Sequence, residues 1–252
     1  MHAPPLVMLH GGFVSGASWE PQIDTLGARW RLVCMDLRGH GESASPLGLY
    51  SVEGFARDVL ETMDELAIDR AVIVGHSLGG MVAQVIGAKH GDRVAGLVLA
   101  DTSYGISTTP WERIQASLTR AMFHMMSIKR VGNLSARELG KRRRDVARYI
   151  RHEMAHFEQD RDTYMRIWRA VFEFDSRSWI GWIECPTLVL AAALNSNTIR
   201  QGKMMAAMIP SAQFATVERA GHMLNWDNPE GFDRAVTRFC EAIEWVREKL
   251  TK

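Results

Sequence analysis

Six short runs hold most of the chain's unbroken apolar character: residues 6–9, 31–35, 71–74, 96–100, 187–191 and 214–217. They are rich in Val, Leu and Ile, bounded by Gly, Pro or Asp, and show little polar alternation, as strands covered on both faces do. Between most of them lie stretches of helix length whose apolar residues recur three and four apart. This alternation predicts an α/β fold: a mostly parallel six-stranded sheet with helices on both faces. One interval breaks the rhythm. Residues 104–183 separate the fourth and fifth runs, far more chain than a parallel crossover needs. Apolar residues fall there at helix spacing in three groups: Leu118, Met122, Met125 and Met126; Val146, Tyr149 and Ile150; Tyr164, Ile167 and Trp168. The spacing predicts a helical lid insertion at 104–183, set into a core domain formed by 1–103 and 184–252.

Composition narrows the partners. The 252 residues are 46% hydrophobic, ample for a sizeable core, and 30 basic against 29 acidic side chains give a net charge of +1. No overall field draws such a protein to nucleic acid or to an anionic membrane, so a small-molecule substrate is expected. The balance conceals polarity: 15 Lys and Arg but nine Asp and Glu fall within 104–183, net +6, leaving −5 on the remainder. Its densest run, Lys141 to Arg144, reads as a solvated helix face. Cys34, Cys185 and Cys240 are odd in number and far apart, which predicts free thiols filling the core in a reducing compartment. No window approaches the roughly 18 apolar residues of a membrane span, and the first residues lack the marks of a secretory signal. A soluble cytoplasmic protein is the expectation.

The third run ends in VIVGHSLGG, a serine held between glycines. In a Gly-x-Ser-x-Gly turn from strand to helix, neighbours larger than glycine collide with the turn, so Gly75 and Gly79 leave the Ser77 hydroxyl exposed above the sheet's carboxyl edge. Met81, Val82, Val85 and Ile86 predict a helix from there to about His90. Its first amide, on Leu78, faces any oxyanion that forms at Ser77. The corner reads as a reaction site.

LHGG (9–12), DLRGHGES (36–43), GHSLGG (75–80), CPTLVLA (185–191) and AGHMLNWDNPEGF (220–232) occur in this order, and together they resemble the α/β-hydrolase superfamily over nearly the whole chain. The resemblance implies Ser77 as nucleophile, His222 as general base, and the amides of Leu78 and Gly12 as an oxyanion hole, with Phe13 as an alternative second donor. It assigns His10, His40 and His76 to hydrogen bonding within turns. Phe13, His76, Asn195 and Trp226 are the candidates for substrate-pocket walls. Many relatives open on an antiparallel hairpin, but here the first strand begins within six residues of Met1, which implies the shorter, six-stranded sheet.

A neutral His222 needs a carboxylate behind it to fix its tautomer and to stabilise the imidazolium. The usual family position, after the fifth strand, holds Asn195, an amide that can orient the ring but cannot balance its charge. Asp101 ends the fourth strand and resembles the acid of a minority of the superfamily, certain lactonases and dehalogenases among them. Asp101 is therefore expected as the acid, against the alternatives that it caps the following turn and that Asn195 backs His222.

HEMAH at 152–156 matches the H-E-x-x-H pattern for zinc, with Glu173 or Glu184 as a third ligand. Arg148 and Arg151 on the same helix oppose a dication, so the motif reads as a helix with histidines at its rim. No metal or other cofactor is expected. A second rival, a small-molecule receptor or a catalytically altered member of the superfamily, draws on Asn195. Dehalogenase-type chemistry lacks its aspartate at Ser77, lyase chemistry its lysine at Met223, carbon–carbon hydrolysis its asparagine at His76, and perhydrolysis its tryptophan at Gly12. What remains is hydrolysis of an ester or lactone by a Ser-His-Asp mechanism. Trp111, Trp168, Trp179 and Trp182, with Met122, Met125, Met126, Met154 and Met165, are expected to supply lid core and the roof over a medium-sized hydrophobic substrate. An exposed lid face is compatible with a homodimer.

Overall fold

The computed structural model describes residues 3–106 and 110–246. The chain opens β1 (Pro5–Leu9), α1 (Glu20–Gly27), β2 (Arg31–Met35), α2 (Val52–Glu65), β3 (Ala71–His76), α3 (Leu78–Lys89) and β4 (Val94–Ala100). Four helices follow: α4 (Pro110–Met125), α5 (Ile128–Leu139), α6 (Arg144–His156) and α7 (Arg161–Glu173). The chain then returns through β5 (Thr187–Ala192), α8 (Ser196–Met208), β6 (Ala212–Val217), α9 (Leu224–Asp227) and α10 (Pro229–Ala242). The expected six strands form one sheet in the order β2-β1-β3-β4-β5-β6, with every neighbouring pair parallel.

Successive strand residues point to opposite faces, so each apolar run feeds two cores. Val7, Leu9, Ile73, Leu97 and Leu99 pack with Phe55 of α2 and Val82 and Ile86 of α3. Leu6, Met8, Val72, Val74 and Val98 pack on the other face with Leu26 of α1 and Phe232 and Val236 of α10. Every residue of β3 and β4 is buried. Edge strand β2 is mostly not, and Cys34, expected in the core, is exposed there; Cys185 and Cys240 are buried, and all three are free thiols. Short polar side chains start several helices by accepting an otherwise unpaired amide: Ser51 from Gly54, Asp160 from Thr163, and Asn228 from Gly231 with Pro229 in the first turn.

The chain runs from β1 to β2 on one side and then to β3 on the other. The connections after β1 and β3 thus leave toward opposite edges, and the carboxyl side of such a switch is the usual ligand position in an open parallel sheet. Helices α4 to α7 lie in the 104–183 interval, and Val146, Ile150, Tyr164 and Ile167 are buried in the core that also holds Phe13 and Leu78. The α4 stripe departs from expectation. Leu118, Met122 and Met125 are 66%, 44% and 88% exposed, while Phe123 turns inward. Trp182 is exposed as well, and the side chain of Trp111 lies outside the described residues. Among the described residues no helix is long and apolar enough to cross a membrane.

Candidate active site

Ser77 sits between β3 and α3 with φ 51° and ψ −112°, a backbone state that costs an L-residue energy unless its surroundings hold it. Here they do. The Ser77 carbonyl accepts the amides of Gly80 (3.0 Å) and Met81 (3.2 Å) and the hydroxyl of Thr102 (2.7 Å). A methyl on Gly75 would fall on the Gly79 carbonyl, and one on Gly79 on the Leu9 carbonyl, so neither position admits a side chain. The loop after β1 crosses this corner: a Cβ on Gly11 would stand 3.3 Å from Ser77 Cβ, and one on Gly12 would stand 3.9 Å from Leu78 Cδ2.

His222 lies in the loop between β6 and α9. Its Nε2 is 3.2 Å from Ser77 Oγ, and its Nδ1 is 2.6 Å from Asp101 Oδ2. A carboxylate behind Nδ1 fixes the proton there, so Nδ1 donates to Asp101 while Nε2 accepts from Ser77. Asp101 ends β4 at φ 41°, with no side-chain exposure. Its Oδ1 accepts the Ala192 amide (2.8 Å) and the Thr198 hydroxyl (2.5 Å), and its Oδ2 accepts Asn195 Nδ2 (2.9 Å) as well as His222. Burial favours the protonated acid, but these donors outweigh it and hold the Asp101 carboxyl below its usual range.

The histidine loop is gripped from two directions. From the core, His76 Nε2 donates to the His222 carbonyl at 2.8 Å. From the inserted helices, Arg143 Nη1 donates to the Trp226 carbonyl at 2.6 Å, and Arg142 Nε stands 3.9 Å from Asp227 Oδ2, which accepts the Gly221 amide at 2.7 Å. His10, His40 and His76 are fully buried, and burial lowers them to about 4, 3 and 4, so they stay neutral near pH 7.

Two cavities meet at this corner, of about 450 and 230 Å³, and both are lined by Ser77, Met81, Trp168, Val171 and His222. The larger extends between α4 and α8 past Asp101, Asn195, Thr198 and Gln201. The smaller extends under α5 and α6 past Gly12, Phe13, Leu78, Leu139, Ile150 and Met154.

A family model described as the alpha/beta hydrolase fold matches residues 4–229. The chain belongs to this family. The α/β hydrolase is similar to a crystallised hydrolase from Pseudomonas aeruginosa PA01 (30% identity, 95% of this chain, 91% of that chain, TM-score 0.84). It is also similar to an enol-lactonase from Burkholderia xenovorans LB400 (26% identity, 95% and 92% covered, TM-score 0.84). A relative in Caulobacter segnis named for carbamate hydrolysis is 29% identical over 251 residues, covering 94% of this chain and 91% of its own.

Of the residues singled out in this α/β hydrolase from sequence, Ser77, His222 and Asp101 are hydrogen-bonded in line, Gly12, Leu78 and Phe13 line the smaller cavity beside Ser77, and Asn195 lines the larger. His76 and Trp226 line neither. His76 is buried beneath the histidine loop. Trp226 is 6% exposed, stacks on Tyr149 and donates Nε1 to the Ser18 carbonyl at 2.7 Å. Asn195 binds Asp101 rather than standing behind His222. Trp168 and Met154 reach the cavities as expected of a roof, whereas Met122 and Met125 face solvent. In HEMAH, His152 and His156 meet ring to ring, but among the described residues no third metal-ligating side chain joins them, and Glu173 pairs with Arg169. Sequence reasoning passed over Thr198 and Gln201, which lie outside every motif; their one signal was position, one and two turns into the helix after Asn195.

Proposed function

We propose that this α/β hydrolase cleaves an ester or lactone by acyl transfer, with Ser77 as nucleophile, His222 as base and Asp101 as the acid behind it. The observation that carries the reading is the unbroken relay from Asp101 Oδ2 through His222 to Ser77 Oγ, at 2.6 and 3.2 Å. As Ser77 Oγ attacks the carbonyl carbon, its proton passes to His222 Nε2, and the imidazolium is stabilised by Asp101. The negative charge on the carbonyl oxygen falls to the amides of Leu78, at the start of α3, and Gly12; each such donor is worth roughly 3 to 4 kcal/mol of barrier. His222 returns the proton to the leaving alkoxide, then takes one from the water that releases the acyl group and regenerates Ser77. For a lactone, alkoxide and acyl group are one chain, and a single hydroxy acid leaves. The sequence asks for no cofactor.

Helices α4 to α7 serve in this reading as the lid, since they furnish Trp168, Val171, Ile150 and Met154 over the corner. The enol-lactonase likeness supports a lactone or compact ester. The relative named for carbamate hydrolysis adds carbamates to the assay, because the same groups would meet that carbonyl. The test is a panel of esters, lactones and carbamates with wild type and Ser77→Ala, beside labelling by a fluorophosphonate. Turnover and labelling that both vanish in Ser77→Ala are expected. An unlabelled wild-type Ser77 with no turnover across the panel would replace this reading with that of a small-molecule binding protein.

A further inference from the structure

The two cavities differ in chemistry. The smaller is lined mainly by apolar side chains beyond the reacting groups, Phe13, Leu139, Ile150 and Met154 among them, with Ser135 adding one hydroxyl. The larger mixes apolar side chains with many hydrogen-bonding ones, and several of the latter are already satisfied. Asp101 accepts four donors, Thr102 donates to the Ser77 carbonyl, and Arg200 pairs with Glu112 at 2.6 Å. Gln201 differs. It is 7% exposed, its Nε2 donates to the Gly105 carbonyl at 3.1 Å, and its Oε1 is buried with no partner. The amide cannot flip, because that would set its oxygen against the Gly105 carbonyl. A buried acceptor left unmet is destabilising, and this one belongs to a side chain in the wall of the cavity beside the reacting groups.

Resting on the acyl-transfer reading, we infer that the larger cavity is a subsite for a neutral hydrogen-bond donor of the substrate, an amide N–H or a hydroxyl, received by Gln201 Oε1. The group on the other side of the scissile carbonyl is apolar and fills the smaller cavity. A cation is disfavoured because both carboxylates of the larger cavity are engaged, Asp101 by four donors and Glu112 by Arg200. An analogue without the donor would seal the Gln201 oxygen away unpaired, which is how buried polar groups discriminate between substrates.

The experiment uses matched substrates differing by one N-methyl group. One series is p-nitrophenyl ω-acetamidoalkanoates and the other ω-acetamidoalkyl butyrates, with tethers of about two to five methylenes, each beside its N-methylacetamido twin. In one series, at the tether that reaches Gln201, wild type is expected to favour the N–H member at least tenfold in kcat/KM. Gln201→Met should shrink that ratio below threefold. The ratio is taken on one enzyme preparation, so partial unfolding of a variant cancels. Absence of any N–H preference in both series, or a preference that survives Gln201→Met, overturns the subsite while leaving the hydrolase reading intact. No hydrolysis of any probe together with an unlabelled Ser77 removes both.

Discussion

Replacing Asp101 by Asn sets one oxygen and one NH₂ against four donors. With the NH₂ at the Oδ2 position, it faces His222 Nδ1, which must then accept. The proton moves to Nε2, and the ring can no longer take one from Ser77. With the NH₂ at Oδ1, His222 keeps its tautomer. The buried Ala192 amide then loses its acceptor, at about 1 to 3 kcal/mol, while Thr198 can turn to the Asn195 carbonyl, which its hydroxyl already meets at 3.1 Å. In both arrangements the charge that stabilises the imidazolium is gone. In a serine protease triad this exchange lowers kcat about 10⁴-fold, roughly 5.5 kcal/mol of barrier. Here kcat is expected to fall about 10³- to 10⁴-fold, measured by steady-state hydrolysis of a p-nitrophenyl ester, with fluorophosphonate labelling slowed in parallel. Asn195→Ala removes one of four donors to Asp101 and should cost less than tenfold. The reasoning fails if Asp101→Asn keeps more than a tenth of wild-type turnover, or if Asn195→Ala is as damaging.

Acid should unfold the protein through its buried imidazoles. Burial lowers His10, His40 and His76 from 6.5 to about 4, 3 and 4, so below 6.5 the unfolded chain binds protons that the native state refuses. Their stabilisation is whole above pH 6.5 and shrinks as pH falls; at pH 5 each costs about 2 kcal/mol, large against a total near 5 to 15. Urea midpoints should drop sharply between pH 7 and pH 5, and equal midpoints would contradict this. Gly79→Ala drives a methyl into the Leu9 carbonyl and should cost more than about 4 kcal/mol or prevent folding, read by urea unfolding and soluble yield. Asp227→Ala frees the Gly221 amide beside His222 and should lower kcat about 10- to 100-fold with KM little changed; a wild-type kcat would show that the clamp does not position the base.

Strands buried on both faces cannot afford polar residues, so the apolar runs ending at Leu9, Val74 and Ala100 marked the sheet plainly. The serine corner was equally plain, because the turn excludes side chains at Gly75 and Gly79. Periodicity shows that α4 is a helix but not what it packs against: Met122 and Met125, expected in the lid core or roof, face out together with Leu118. Asp101 and Asn195 were left as alternatives on sequence; in the fold they are partners, joined through Asp101 Oδ2. His76 and Trp226 stand beside catalytic motifs, yet their contacts lie 146 and 208 positions away, with the His222 carbonyl and Ser18, and no local pattern encodes a partner at that distance.

The basic turn before α6 ties the inserted helices to the core on one side. Arg143, through the Trp226 carbonyl, moors the inserted helices to the segment that carries the base, whereas the rim between α4 and α8 carries the partly exposed Arg200–Glu112 pair, and exposed pairs are typically worth about 1 kcal/mol or less. The two edges are thus tied by different means, one by a bond to the histidine segment and one by an ion pair. A displacement of α4 away from α8 would therefore leave the His222 segment where it stands.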